Sequence, residues 1–273
     1  MSILPAKFVA SSLAALAVLT FGTSATLLAD PIPSGWSCSG TCGSLGANGV
    51  VTLSPTGNPS YQFVSTAGAN GFTAVLPGKT QTSETDGSVL TTSTFSATSG
   101  TALNFFFNFV TSDGSSTFAD YAWAELFNAG TNTPAALLFT GQTEPSGSIV
   151  PAQGLSAFPV VATLNPSSVP IIPGGPTWSP LGGSSGACFD VGCGYTGWVS
   201  SSYTIPTAGN YYLEFGATNW VDDLFDTGLA IDGVTVGGVP INPPGAVPEP
   251  SSIALLGTGL LAVAGAVRRR LTA

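Results

Sequence analysis

Residues 103–110 read LNFFFNFV, and their alternation constrains the fold more than any other feature of the chain. Leu103, Phe105, Phe107 and Phe109 fall on one side of an extended backbone, with Asn104, Phe106, Asn108 and Val110 on the other, since successive side chains of a strand point to opposite faces. The runs YAWAELF (121–127) and YYLEFGAT (211–218) alternate in the same way. They place Tyr121, Trp123, Glu125 and Phe127 together, and Tyr211, Leu213 and Phe215 together. Weaker strand patterns lie at 50–53, 61–64, 89–95, 136–140, 198–205 and 229–236. The joints between them are rich in Gly, Ser, Asn and Pro, and no segment of 34–238 sustains a helical period. Many short strands with turn-rich joints predict an all-β sandwich or barrel. Its roughly 200 residues suffice for one hydrophobic core. The stretch 155–186, dense in Pro, Gly and Ser, is expected to be a long irregular insertion.

Charge narrows the function classes. Only 7% of residues are charged, against about 25% in an average soluble chain. From Asp30 to Val247, thirteen acids face a single base, Lys79, a formal charge of −12. Such a surface repels phosphate backbones, which argues against nucleic acid as a partner. Histidine is absent. That removes the commonest general base and the usual partner of a Ser or Cys nucleophile. A hydrolase built on this chain would need a carboxylate pair, a lysine or an oxygen-bound metal.

The ends read as targeting segments. Residues 1–29 carry a positive start at Lys7, an apolar stretch FVASSLAALAVLTF and small residues before two candidate cleavage points, after Ala25 or after Ala29. At the other end, a Pro-rich linker (240–250) leads into an uncharged run, 251–267, closed by Arg268, Arg269 and Arg270. As a helix that run would reach ~25 Å, short of a ~30 Å hydrocarbon core. The basic cluster would remain on the cytoplasmic side, leaving the body exported.

Candidate functional residues in the body are few. Cys38 with Cys42, and Cys188 with Cys193, form an even set in an exported chain, which favours disulfides; the local pairs are preferred, with a four-thiolate zinc site as the alternative. Asp222, Asp223, Asp226 and Asp232 form the densest carboxylate cluster, with Asn219 just before it. Carboxylates in a flexible loop suit calcium, so a structural calcium ion is weighed against a solvated turn, although EF-hand spacing is missing. No other cofactor is expected. Of the five tryptophans, Trp123 lies in an alternating strand and is assigned to the core. Trp178 and Trp198 flank the second cysteine pair in loop-rich sequence and are the candidates for stacking on a sugar ring.

Two resemblances add to this reading. The order Val247, Pro248, Glu249, Pro250, then a short helix with Gly257, Gly259 and Gly265, then the arginine triplet, resembles the PEP-CTERM sorting tail. That resemblance implies recognition by an exosortase-type membrane transpeptidase, processing near 248–250 and retention at the cell envelope or in the extracellular matrix. It covers about the last 27 residues. The stretches 94–120 and 203–236, with Gly209, Tyr211, Phe215, Asn219, Asp223, Asp226, Leu229 and Asp232, look like jelly-roll domains of bacterial surface and matrix proteins. The expected organisation is a signal peptide (1–29), a single β-sandwich of jelly-roll type (30–239), a linker with the PEP motif (240–250) and a sorting helix with a basic tail (251–273). The expected role is a non-catalytic structural or binding component of the surface or of an exopolysaccharide matrix. A carbohydrate-binding module is the second reading and a carboxylate-based glycosidase the third.

Overall fold

A computed structural model describes residues 32–69, 71–79, 83–144, 146–152 and 158–241. The signal segment, the sorting tail and nearly all of the linker lie outside the described residues. In chain order the first strands are β1 (Ser37–Ser39), β2 (Thr41–Leu45), β3 (Tyr61–Ser65), β4 (Glu84–Thr91), β5 (Phe95–Ala97), β6 (Ala102–Thr111), β7 (Tyr121–Asn128), β8 (Thr133–Gln142) and β9 (Ser148–Val150). The later ones are β10 (Thr163–Asn165), β11 (Val169–Pro170), β12 (Ile172–Pro173), β13 (Gly194–Tyr195), β14 (Val199–Thr204), β15 (Gly209–Trp220), β16 (Thr227–Val236) and β17 (Val239–Pro240).

Two antiparallel sheets stack. The first runs β1-β4-β15-β7-β8, with β5 also on β15. The second runs β10-β14-β6-β16-β3-β2, extended by β12 and β13 beside β6 and by β17 on β16. The chain crosses between sheets at β1 to β2, β3 to β4, β5 to β6, β6 to β7, β8 to β10, β14 to β15 and β15 to β16, the wrapping of a jelly-roll sandwich. The alternation of LNFFFNFV is realised in β6. Leu103, Phe105, Phe107 and Phe109 enter the space between the sheets, where Phe107 stacks on Phe139 at 3.9 Å and Phe105 meets Phe215 edge-on at 5.3 Å. Each such ring removed from water contributes roughly 1.5–3 kcal/mol.

Two expectations change in the folded chain. Residues 50–53 form no strand: Asn48 and Val51 exchange backbone hydrogen bonds across a tight turn whose Gly49 has φ +55°, and the Val50 N–H goes to Thr177 O. The large residues of β7 do share a face, but it is not the face between the sheets. Ala122, Ala124 and Leu126 face the main core. Tyr121 and Trp123 belong to a second cluster on the outer side, covered by Ala74 and Leu76. The second sheet is covered on its outer side as well, by Trp178, Leu181 and Val51 over Tyr61, Phe63, Val110 and Ala230. Both sheets are therefore buried on both faces near their centres, which is why β7 is buried at seven consecutive positions.

The outer face of the first sheet carries two features with measurable consequences. Gly216 lies opposite Trp123, and a Cβ there would sit 2.1 Å from Trp123 Cζ2. Glu125 lies directly opposite Glu214; it is 1% exposed, and its carboxyl oxygens have no hydrogen-bond partner among the described residues. Burial, and then the neighbouring Glu214, push the Glu125 carboxyl up to about 8.

Gly216→Ala is expected to cost about 1–3 kcal/mol by overpacking the indole. Gly130→Ala, where an added Cβ meets nothing within 4 Å, should stay within about 0.5 kcal/mol. Urea melts of both variants check this, and equal stabilities would disprove the packing argument. For Glu125, the folded state keeps a proton that the unfolded chain releases above ~4.3. Stability must therefore fall as pH rises from there through about 8. Glu125→Gln should melt above the wild type at pH 8, come closest to it near pH 4 and show a shallower decline between; parallel declines would contradict the assignment.

Candidate functional site

Strand β16 departs from regular pairing at one point. Asp232 lies opposite Phe106 and Thr235 opposite Asn104, so Gly233 and Val234 together face the single residue Phe105. Two residues against one is a β-bulge, which bends a strand and re-aims its side chains. Gly233 takes φ +65°, and a Cβ there would stand 2.5 Å from Thr56 Cγ2, so the position requires glycine.

Asp232 is 1% exposed, and residues 54–58 close over it. Thr56 Oγ1 donates to Oδ2 at 2.6 Å, Ser54 Oγ donates to the same oxygen, and Asn58 Nδ2 donates to Oδ1 at 2.9 Å. The loop sequence builds this clamp locally. The Ser54 and Thr56 hydroxyls accept from backbone N–H groups two residues on, and Gly57 turns the chain at φ +80°. Beside the bulge lies a cavity of about 310 Å³, partly open to solvent, with Trp36, Asn58, Gln62, Asn104, Phe106 and Asp232 in its walls. Trp36 and Gln62 are 7% and 3% exposed. Neither the Trp36 indole N–H nor the Gln62 amide nitrogen has a hydrogen-bond partner among the described residues. Of these residues only Asp232 stood in the acidic cluster read from the sequence. The legible signal for the rest was Gly233, a glycine inside a strand pattern.

Asp232 therefore does not share a site with Asp222, Asp223 and Asp226. It lies five residues beyond Thr227 along β16, roughly 17 Å at ~3.4 Å per residue. The other three sit at the opposite end of that strand, near Asp86, Asp113 and Asp120. Asp226 accepts from Thr66 Oγ1 (3.2 Å) and Ser184 Oγ (2.7 Å), and Asp222 accepts from the Leu224 N–H (3.0 Å). Asp223 is exposed. Asp120 is wholly buried, taking hydrogen bonds from Trp220 N–H (2.9 Å) and Thr227 Oγ1 (2.7 Å); burial raises its carboxyl well above the usual range. Burial pushes Asp113 up to about 6, and burial together with Asp226, Asp223 and Asp222 does the same to Asp86. Among the described residues, no three Asp, Glu or Cys side chains are arranged to hold a metal ion.

The two tryptophans proposed for sugar stacking have structural surroundings. Trp178 is 1% exposed, donates its indole N–H to Tyr61 Oη at 2.9 Å and lies edge-on to Phe63. It precedes the 3-10 segment Ser179–Ser184 and fixes that segment to the outer face of the second sheet, where Gly228 leaves room for the indole. It cannot stack on a ligand. Trp198 is half-buried edge-on to Tyr61, with its N–H on Thr52 O at 3.0 Å. The cysteines are joined as Cys38–Cys42, with Cα atoms 6.0 Å apart, and Cys188–Cys193, 5.6 Å apart. The first bridge ties β1 of one sheet to β2 of the other. Val247, Pro248, Glu249, Pro250, Arg268, Arg269 and Arg270 lie outside the described residues.

Comparison with known proteins bears on the sorting tail. Residues 246–270 match the model of the PEP-CTERM protein-sorting motif. Among solved structures, one described as "CBM4 structure and function" aligns at 11% identity with TM-score 0.26, covering 74% of this chain and 93% of that one. Another, described as "Structural analysis of an exo-beta-agarase", aligns at 12% identity with TM-score 0.28, covering 80% of this chain and 25% of that one. No curated protein matches the chain. The chain is thus an all-β sandwich carrying at residues 246–270 a PEP-CTERM sorting motif, the recognition signal for exosortase processing, which marks it as an exported protein of the cell envelope.

Proposed function

We propose that the protein is a non-catalytic component of the cell surface or of an exopolysaccharide matrix, delivered and retained through its sorting tail. The observation that carries this reading is the motif at 246–270. The body supports it through the state of its acids. Asp120, Asp226 and Asp232 are each engaged by hydroxyl or amide donors. Glu125 is 1% exposed, with Glu214 directly opposite it. Hydrolysis by two carboxyl groups needs them flanking an open cleft. A second reading, carbohydrate binding, is favoured by the cavity beside Asp232, which is lined by both polar side chains and the Trp36 and Phe106 rings.

In a host that possesses the sorting enzyme, deleting 248–250 or removing Arg268, Arg269 and Arg270 should leave full-length precursor in the inner-membrane fraction, while the wild type is processed and released to the envelope. Normal processing of both variants would overturn the assignment.

A further inference from the structure

A second hollow lies at the other end of β16, on the outer face of the second sheet. It is an open groove of about 470 Å³ between the 3-10 segment and the paired strands β2 and β3. Leu45, Phe63 and Pro180 give it apolar walls, and Gly182 and Gly183 put no side chain into it. Among the described residues, Asp226 is the one charged side chain in the walls. Thr66 Oγ1 and Ser184 Oγ each donate to one of its carboxyl oxygens. Those two residues adjoin the wall segments 67–68 and 182–183, which meet where a Cβ added at Gly182 would stand 3.2 Å from Ala67 Cβ. The carboxyl is thus held at that junction. Asp226 stays half-buried although its N–H goes to Ser184 Oγ at 3.1 Å and its C=O accepts from Ser112 N–H at 3.0 Å. Its exposed part is therefore the side chain.

The hydroxyls leave acceptor capacity on both carboxyl oxygens. Burial raises this carboxyl above its ordinary range, and Asp223 adds to the shift while the hydroxyls oppose it. No lysine or arginine stands in the walls, and Lys79 is engaged by Glu84 at 3.9 Å. A ligand that complements the groove is cationic at one end and apolar beside it, since Phe63 lies three residues before Thr66, roughly 10 Å at ~3.4 Å per residue. A metal ion does not fit, as no three Asp, Glu or Cys side chains among the described residues are arranged to hold one. A guanidinium favours two parallel bonds to a carboxylate, whose oxygens here already accept from hydroxyls of two different segments. An ammonium is a compact charge with rotatable donors on a flexible stem and needs no such fork.

We propose that this groove binds a primary ammonium carried on an aliphatic stem, as a free amine or as a lysine of a partner chain. Asp226 is its counter-ion, and Leu45, Phe63 and Pro180 line the stem. The site goes beyond the surface-component reading and does not depend on carbohydrate binding.

The test titrates the full chain in mild detergent with n-butylamine and with N-acetyl-lysine amide. N-acetyl-norleucine amide, an uncharged stem, and N-acetyl-arginine amide are the comparison ligands. The backbone 1H–15N signals of Gly182 and Gly183 report the groove and yield Kd. At least one of the two amines should move those signals, the tighter one naming the source as a free amine or a partner lysine. Asp226→Asn should weaken that binding about tenfold or more. Gly183→Leu, at a position where an added Cβ meets nothing within 4 Å, should block it sterically and keeps the test valid if Asp226→Asn fails to fold. Asp223→Asn removes the same charge from an exposed residue outside the walls. It should change the affinity by less than about twofold. An equal loss in Asp223→Asn, or undiminished binding in Gly183→Leu, would overturn the site. Equal binding of the norleucine amide would overturn the role of Asp226, and tighter binding of the arginine amide would overturn the ligand class. Failure of both amines to bind would overturn the proposal while leaving the sorted surface role intact.

Discussion

The stack of Phe107 on Phe139, 3.9 Å apart and 8° from parallel, joins the second sheet to the first at the centre of the sandwich. Around it Phe105 reaches both Phe139 and Phe215, so one strand, β6, presents the rings on which the facing sheet closes. The alanines of β7, Ala122 and Ala124, make room for those rings. Their small volume in turn sends the bulk of β7 to its outer face. Trp123 and Tyr121 there need cover, which residues 72–79 provide, with Ala74 and Leu76 buried over them. The layering of the molecule follows from packing volume at the centre: large rings inward from one sheet require small residues inward from the other.

A second constraint is the scarcity of cations. Most proteins settle a buried carboxylate against arginine or lysine, but here Lys79 is the sole base from Asp30 to Val247. Hydroxyls and amides take over. Asp120, Asp226 and Asp232 are each held by Ser, Thr or Asn side chains from segments remote in sequence, and these contacts cross between elements that otherwise share no ladder. Neutral donors stabilise a carboxylate less than a full opposite charge does. Burial accordingly wins at Asp86, Asp113, Asp120, Glu125 and Asp226, all of which are raised. The sandwich is in consequence suited to conditions in which these groups keep their protons.

Local patterns were legible and long-range encounters were not. Strands β6, β7 and β15 could be read because period two is a property of the backbone itself. Cysteine pairs four and five residues apart were readable because so short a segment permits few alternatives. Which face of β7 turned inward was hidden: its big residues share one face, and hydrophobicity alone assigns that face to the core. The inward choice depended on the phenylalanines of β6, in the other sheet. Trp178 misled for a related reason. Its neighbours are Pro, Gly and Ser, as in an exposed loop, yet that loop folds back onto Tyr61 and Phe63. Asp232 looked like part of a cluster because of spacing in the chain, and β16 then carried it the length of the sheet from Asp226.

Lys79 shows how far one charge can organise such a chain. Its ammonium lies 3.4 Å over the Trp220 ring and 5.2 Å from that of Tyr121, with Glu84 at 3.9 Å. Burial lowers its proton affinity while Glu84 works in the opposite direction. A cation between two aromatic faces and a carboxylate is attracted by all three, so the lysine secures the end of 72–79, the same stretch that covers Trp123. The only base of the body is thereby spent on closing the outer face of the first sheet. Asp223 is exposed at the end of the sandwich where Val221 and Leu224 are also exposed. The body then presents an exposed carboxylate and exposed apolar side chains together at that end.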